Sequence, residues 1–526
     1  MSGDSSLLVE KLWRLKRRID KGGCPGIEFV HLNTLLKEPA YRQDVLRRVE
    51  QSGSKELKAL VREIQANDDN QPLMVKESIN RLAITPAERS ENRSWLRRNF
   101  PAVLAVAAMA GVAVGFTAFE NRVVRIDSDI VTDTTWVSGK RYVLADTVYV
   151  ENASLTIEPG VTIEGENGAA LIVTPSAKLF ARGKAESPVV FTSAKANGSR
   201  GRGRGDWGGV VLLGKAPVNQ PGAAIEGLPE GEARGAFGGQ DGEHSCGVIE
   251  FTRIEFAGFE VYKDNELNGL TLGGCGKNTI VRNVQVHRSL DDGIEMFGGS
   301  VDLKNIVVTG AGDDSIDWDW GWTGNVQFAV IQQHKATGDN AFEGDNNGKN
   351  HEALPRSEPS FYNVTLVGAG VSEKKHRAIV LREGSGGHFH NMLIDSFGIE
   401  VLDTRDDALS LASRSLLTFS NNLFASIGHL GQIDHEAEDD DFGFDEQAWL
   451  GTARNRNESR VESALFASAA DEVNPSFVPK VLMKHMQSAT RPPQSEFFDE
   501  SAVYFGAISP VASKSWLEGW TSFPEH

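Results

Sequence analysis

Between Leu290 and Asn347 the chain repeats one carboxylate-rich phrase three times, "DDGIEMFGG", "DDSIDWDWG" and "DNAFEGDNN", at intervals of about two dozen residues. Carboxylates brought close together cannot all stay ionised alone; their pKa values rise, or a cation sits among them. Alternation along a strand turns every second side chain outward. In these phrases it selects Glu295, Asp317, Asp319, Glu343 and Asp345, with Arg382 on the next copy, while Asp292 and Asp314 fall near the turn. A surface of oxygen donors suits Ca2+, whereas Zn2+ wants His or Cys. Three uses fit such a surface. The acids can be solvated or hydrogen-bonded to neighbouring loops, or they can hold a structural Ca2+ that staples the strands. The third use is a Ca2+-assisted polysaccharide lyase, with Arg382 or Arg377 removing a proton beside a substrate carboxylate. Against that last use stands the high pKa of arginine. A hydrolase would instead need a carboxylate pair at a defined separation, and neighbouring copies offer such pairs everywhere.

The elements that position these residues are short strands in series. "YVLADTVYVENASLTIEPGVTIEG" alternates apolar and polar residues, with Pro159 and Gly160 supplying a turn. An internal repeat then aligns "FTRIEF", "VRNVQV", "LKNIVV", "QFAVIQ", "FYNVTL", "FHNMLI" and "FSNNLF" on Ile254, Val284, Ile306, Val330, Val364, Met392 and Leu423. One position earlier stand Arg253, Asn283, Asn305, Ala329, Asn363, Asn391 and Asn422. Parallel strands stacked at roughly 4.8 Å would set these asparagines one above another, with amides linked from rung to rung. A second column, Leu270, Ile294, Ile316, Phe342, Ile379 and Ile399, points inward and places Glu400 and Leu402 on the outer side of the sixth rung. The fold class expected is all-β, a right-handed parallel β-helix with one coil per repeat.

The same register sets Cys246 and Cys275 at equivalent points of adjacent coils, within reach of a disulfide in an oxidising compartment. Phe297 is expected outward beside Asp319, which would favour glycan stacking; Trp318 shares the parity of Ile316 and is expected in the core, and Trp320 and Trp322 lie in the turn. The histidines around His388 to His390 lack a metal-ligand spacing. The acidic run from Asp434 does not match an EF-hand, and "GSRGRGRGDWGG" reads as a basic loop folding over the acidic body.

Residues 1–99 carry 19 Lys and Arg against 14 Asp and Glu, and the remainder 35 against 58, so a head at +5 precedes a body at −23. The body's charge argues against nucleic acid and an anionic bilayer surface, and favours cations, basic partners or neutral glycans. Phe100 to Phe119 are twenty uncharged residues, about 30 Å as a helix and enough to span a bilayer. Arg93, Arg97 and Arg98 before them keep the N-terminus in the cytoplasm. "RRNF" also allows residues 97–119 to be a cleaved Tat-like export signal. The expected organisation is a helical cytoplasmic module over 1–65, a polar linker over 66–99, a transmembrane helix over 100–119 and an extracytoplasmic β-helix over 120–526, single-pass in a bacterial inner membrane. In the head, Leu8, Leu12, Leu15 and Ile19 share a helical face, Leu57, Leu60, Val61 and Ile64 another, and a short helix is expected after Asn33. The head's cytoplasmic partner is not specified by the sequence.

"DWGGVVLLGKAPVN", "NELNGLTLGG", "RSLDDGIEMFGGSVDLKNIVVTGAGDDSIDWDWGWTGNVQF", "ALPRSEPSFYNVTLVG" and the closing "YFGAISP" and "SWLEGWTSF" resemble a family of secreted bacterial right-handed β-helix proteins over roughly residues 130 to 526. The resemblance implies the fold and a cell-surface location, commonly as a lipoprotein or behind a signal peptide, with no settled activity. The head and the apolar segment depart from that pattern. Taken together, the residues describe a binding or scaffolding module of the envelope for glycans or Ca2+, with a Ca2+-assisted lyase or hydrolase as the alternative.

Overall fold

Between Val123 and Arg460 the described residues form stacked coils of parallel strands. The structure is a computed structural model that describes residues 39–52, 55–65 and 123–526, apart from 229–231, 263–264, 432–442, 461–464 and 481–488, and the single positions 11, 12, 15, 19, 24 and 35. The chain divides into two units, Met1–Val106 and Ala107–His526.

In the second unit, one face of the coil is a nine-stranded parallel sheet that includes Leu270–Gly273, Ile294–Phe297, Ile316–Asp319, Asn340–Gly344, Arg377–Leu381 and Leu402–Thr404. The other faces belong to a seventeen-stranded sheet whose long strands, such as Ile280–His287 and Asp302–Thr309, bend in the middle. The bend falls at the asparagines: Asn283, Asn305, Asn363, Asn391 and Asn421 all have φ between 54° and 60°, and Phe251 and Phe328 occupy the same corner at 45° and 64°. Asparagine is among the few side chains that tolerate the left-handed region, so the repeated Asn marks a corner.

This corner corrects the expected alignment. Val284, Ile306 and Val364 hold their places, but Thr252 pairs with Val284, Ala329 with Ile306 and Val364, and Leu423 with Leu393. The sixth rung of the other sheet slips too: Ile379 pairs with Leu402 and Val380 with Asp403. Leu402 lies eleven residues beyond its corner Asn391, as Ile294 does beyond Asn283 and Ile316 beyond Asn305. Asp403, not Glu400, therefore takes the outward position.

Leu270, Ile294, Ile316, Phe342 and Ile379 stack inward, all fully buried. Trp318 is in the core as expected, against Phe361 at 5.3 Å between ring centroids, with Phe361 stacked on Phe389 at 5.2 Å. Trp322 is buried as well, its Nε1 donating to Val301 O at 3.1 Å. Cys246 and Cys275 form the disulfide, with α-carbons 5.8 Å apart.

The outer surfaces are partly roofed by the chain itself. Along the bent sheet runs the C-terminal segment, with Phe505, Ile508 and Trp520 packed on Val330, Leu393 and Leu423. Two corner asparagines hold it, while the amide link expected between rungs is made at Asn422, whose Nδ2 donates to Asn457 Oδ1 at 3.1 Å, and at Asn363, whose Oδ1 accepts from Gln327 Nε2 at 3.2 Å. Asn363 Nδ2 donates to Ala502 O and Tyr504 O at 2.9 and 2.7 Å. Asn391 donates to Thr490 O at 2.7 Å and accepts from Thr490 N at 2.8 Å. Over the nine-stranded sheet folds the segment around Ala223, Ile225 and Phe237, covering Val211, Leu213 and Phe297. The basic loop docks on the body, Arg202 over the Phe256 ring and Arg204 Nε to Gly310 O at 2.9 Å.

In the first unit, helices Pro39–Ser52 and Lys55–Gln65 bury Val45, Val49, Leu57, Val61 and Ile64 in a core with Leu12, Leu15, Ile19, Cys24 and Leu35. The helix beginning at Pro39 was not anticipated; a proline fits a first turn because its missing N–H has no partner there. The linker 66–99, the apolar segment Phe100–Phe119 and the acidic run from Asp434 lie outside the described residues. Among the described residues no helix is long and apolar enough to cross a membrane.

Candidate functional site

The first copy of the phrase enters the nine-stranded sheet through a tight approach at Gly293, and this explains "DDG". A Cβ on Gly293 would lie 2.3 Å from Val308 Cγ1 and 2.5 Å from Ser315 O, so only the smallest residues pass. Just before this point the carboxylates form a ladder of their own. Asp292 Oδ1 accepts from Asp314 N at 2.9 Å, and Asp314 Oδ1 accepts from Asn340 N at 2.6 Å. Both acids are therefore buried and fixed by the backbone of the next rung.

Three residues further on, Glu295, Asp317 and Glu343 pair in register across three rungs. Asp319 pairs with Phe297, and Asp345 follows Gly344, which pairs with Trp318. The five residues picked from alternation thus share one outer face, and four of them divide into two pairs. Glu343 and Asp345 are taken by Arg382, whose Nη2 lies 2.8 Å from Glu343 Oε1 and 2.6 Å from Asp345 Oδ2. On the following rungs Arg377 Nε meets Glu400 Oε1 at 2.9 Å and Asp403 Oδ2 at 3.3 Å, and Arg405 also reaches Asp403. Among the described residues no arginine forms an ion pair with Glu295 or Asp317. They gather with Asp292, which alternation alone had left at the turn: one oxygen from each of the three lies within 4.8 Å of the others. A second group, Asp291, Asp292 and Asp313, meets the same limit at the edge of the face.

The electrostatics follow from burial. Desolvation, then Asp291, holds Asp292 well above the usual carboxylate range; desolvation and Asp317 do the same for Glu295, and desolvation and Glu343 for Asp317. Burial pushes Asp319 up to about 8 and Glu343 up to about 7. Burial opposes the charge on Arg382, but its hydrogen bond to Asp345 and the charge of Glu343 outweigh this and hold it above its usual range. Such a guanidinium is ill suited to accept a proton. Asp317 Oδ1 is buried with no hydrogen-bond partner, as is Asn268 Oδ1, although the Asn268 amide nitrogen donates to Glu295 Oε2.

The donors present are carboxylate and carboxamide oxygens, with no His or Cys in either group among the described residues. They fit Ca2+ in chemistry and not Zn2+. Phe297 is outward as expected, yet it is covered, 6.2 Å from Phe237 and 4.8 Å from Trp320 between ring centroids, so it offers no open stacking platform. His388 meets Glu358 and Thr418, and His390 meets Ser420, in ordinary cross-rung pairs.

A coil of stacked parallel strands with a row of carboxylates on one outer face defines the class, a parallel β-helix. The chain belongs to the pectate-lyase-like β-helix domain family, whose model matches residues 128–521. No curated protein and no solved structure matches the chain.

Proposed function

We propose that this protein is a membrane-anchored, extracytoplasmic β-helix module that binds glycan at the bacterial cell envelope, with Ca2+ held in the acidic trough. The observation that carries the reading is the triad Asp292, Glu295 and Asp317, oxygens within 4.8 Å of one another, left without an arginine while Glu343 and Asp345 share Arg382. A buried, partnerless Asp317 Oδ1 is costly unless a proton or a cation meets it. Asp319, Glu343 and Asp345 continue the acidic face beside that ion. Family membership supports a carbohydrate-related role. The disulfide and the apolar run Phe100–Phe119 support an oxidising location reached through an anchor.

Binding is preferred over cleavage because Arg382 and Arg377, the arginines beside the acidic face, are engaged with carboxylates. The test is a calorimetric Ca2+ titration of the intact protein in detergent, run beside a polyuronate cleavage assay. Heat without cleavage is the expected result. Cleavage that disappears in Asp317→Ala would replace this reading with a lyase or hydrolase, and no heat would remove the cation from it. Partition of the intact protein into the membrane fraction after alkaline extraction tests the anchor; release as a soluble chain would reject it.

A further inference from the structure

Three long strands of the bent sheet, Ile280–His287, Asp302–Thr309 and Asn325–Gln332, end on successive rungs. Arg288 follows the first, Gly310 the second, and His334 stands two residues beyond the third. Arg204 reaches them from the basic loop, its Nε donating to Gly310 O at 2.9 Å and its Nη2 lying 3.3 Å from His334 Nδ1. An acid of the C-terminal segment meets this basic group: Glu472 Oε2 lies 3.3 Å from His334 Nδ1 and 3.5 Å from Arg288 Nη2, and Oε1 accepts from Lys335 N at 3.3 Å.

The group is arranged for an anion, and Glu472 fills it incompletely. The Arg288 side chain is 12% exposed, its Nε is buried with no hydrogen-bond partner, and its Nη2 is too far from Glu472 for a good hydrogen bond. Unmet guanidinium donors are costly in such a place. Burial, then the charge of Arg288, pushes Arg204 down to about 10, and burial lowers Arg288 as well. The acids that oppose these shifts, Glu472 for both and Glu525 for Arg288, stand on the C-terminal segment rather than on the coil.

The neighbours of His334 fix where its proton sits. Gln332 Nε2 donates to Ala469 O and Asp471 O at 2.8 and 2.9 Å, so its Oε1 is the atom facing His334 Nε2 at 3.3 Å. Nε2 therefore carries the hydrogen and Nδ1 is an acceptor; burial, then His287, Arg288 and Arg204, keeps the ring neutral by holding its pKa down to about 2. Nδ1 has no hydrogen for Glu472, and two lone pairs face each other. A carboxylate with a hydroxyl beside it removes the conflict, the carboxylate on Arg288 and the hydroxyl accepting from Arg204 while donating to Nδ1. A Cβ on Gly310 would lie 2.3 Å from Nδ1, so glycine at that corner keeps the nitrogen reachable.

We infer that Arg204, Arg288 and His334 form a binding site for a hydroxy acid of the sugar-acid class, and that Glu472 is the resident stand-in for its carboxylate. The site is separate from the acidic trough, opposite to it in charge, and goes beyond the reading given above because its ligand needs no cation. Glu472 can leave without the turn around it. Asp471 Oδ1 accepts from Val473 N and Asn474 N at 3.0 and 2.9 Å, Gln332 holds the backbone on the other side, and the Glu472 side chain is 37% exposed.

The experiment is calorimetric titration of the full chain in detergent and chelator with D-gluconate, with circular dichroism of every variant to establish that it folds. Glu472→Ala is expected to bind D-gluconate about tenfold more tightly than wild type does, and about tenfold more tightly than it binds acetate. Adding Arg288→Gln to that chain is expected to abolish the binding; if the double variant does not fold, Arg204→Gln carries the same expectation. Arg200→Gln, exposed in the same loop, is expected to leave it unchanged. Equal affinity in wild type and Glu472→Ala, or binding that survives the loss of Arg288 or Arg204, overturns the site. Acetate or sulfate bound as tightly as D-gluconate marks an unselective anion site and overturns the hydroxy-acid assignment. Because chelator is present throughout, none of these outcomes depends on the cation in the trough.

Discussion

Arg382 grips Asp345 with two hydrogen bonds, Nε to Oδ1 at 3.0 Å and Nη2 to Oδ2 at 2.6 Å, and the same Nη2 also reaches Glu343. This contact divides the acidic face into a half neutralised by the protein and a half that is not. Replacing Arg382 by Gln strands two carboxylates in a largely buried place. The expected loss is about 2 kcal/mol, below the usual figure for a broken buried pair because the arginine is 35% exposed. Urea unfolding at neutral pH reads it; an unchanged midpoint would mean that the pair contributes nothing.

The raised carboxylates make stability depend on pH with a definite sign. Asp319 at about 8 and Glu343 at about 7 bind protons more tightly folded than unfolded. Their contribution is complete below the usual carboxylate range, roughly pH 4, and is lost as pH rises through 7 to 8. In chelator the melting temperature should therefore fall between pH 5 and pH 8.5, and Ca2+ should restore it at the upper end. A flat profile in chelator would contradict the burial of these two acids.

The Cys246–Cys275 disulfide closes a loop of sequence separation 29 between adjacent coils. Reduction, or Cys275→Ser, should cost about 3 kcal/mol through the freed unfolded chain. Non-reducing peptide mapping should recover the linked pair from protein exported by its native host, and denaturation with and without reductant measures the difference. Free thiols in exported protein would count against the extracytoplasmic placement of this domain.

Asn391 carries two separate burdens, the left-handed corner at φ 55° and the hydrogen bonds to Thr490. Asn391→Ala should cost about 2 kcal/mol and Asn391→Gly about 1, the difference being the conformational part. Limited proteolysis should cut near Thr490 faster in both variants. Equal losses in Ala and Gly would show that the corner itself is not strained for an ordinary residue.

Much of the fold was legible because each coil repeats local rules. Alternation placed Ile294, Ile316 and Phe342 inside and Glu295, Asp317 and Glu343 outside, and all six stand in paired register. One rung apart meant bonding distance for Cys246 and Cys275. The errors came where the corner was set one or two residues away, at Phe251, Phe328 and Asn421. Two of these corners are Phe, which no propensity rule marks as left-handed, and "NN" at Asn421 and Asn422 offers two choices. The step from corner to inward stack is eleven residues at Asn283, Asn305 and Asn391 but fourteen at Phe328 and sixteen at Asn363, so the sixth rung was decided by the structure.

By itself the sequence determined the period, the faces and the existence of an acidic stretch, because side-chain direction in a strand depends on local parity alone. Which acids are neutralised was decided only by the tertiary structure. Arg382 and Asp345 lie 37 residues apart, and their contact depends on how unequal loops between coils bring the rungs into line. The cover over Phe297 likewise comes from a distant segment around Phe237 folded onto the sheet. The same folding moved Asp292 from a turn residue to the shared member of two acidic groups, since a turn's direction, unlike a strand's, is fixed by what the next coil packs against it.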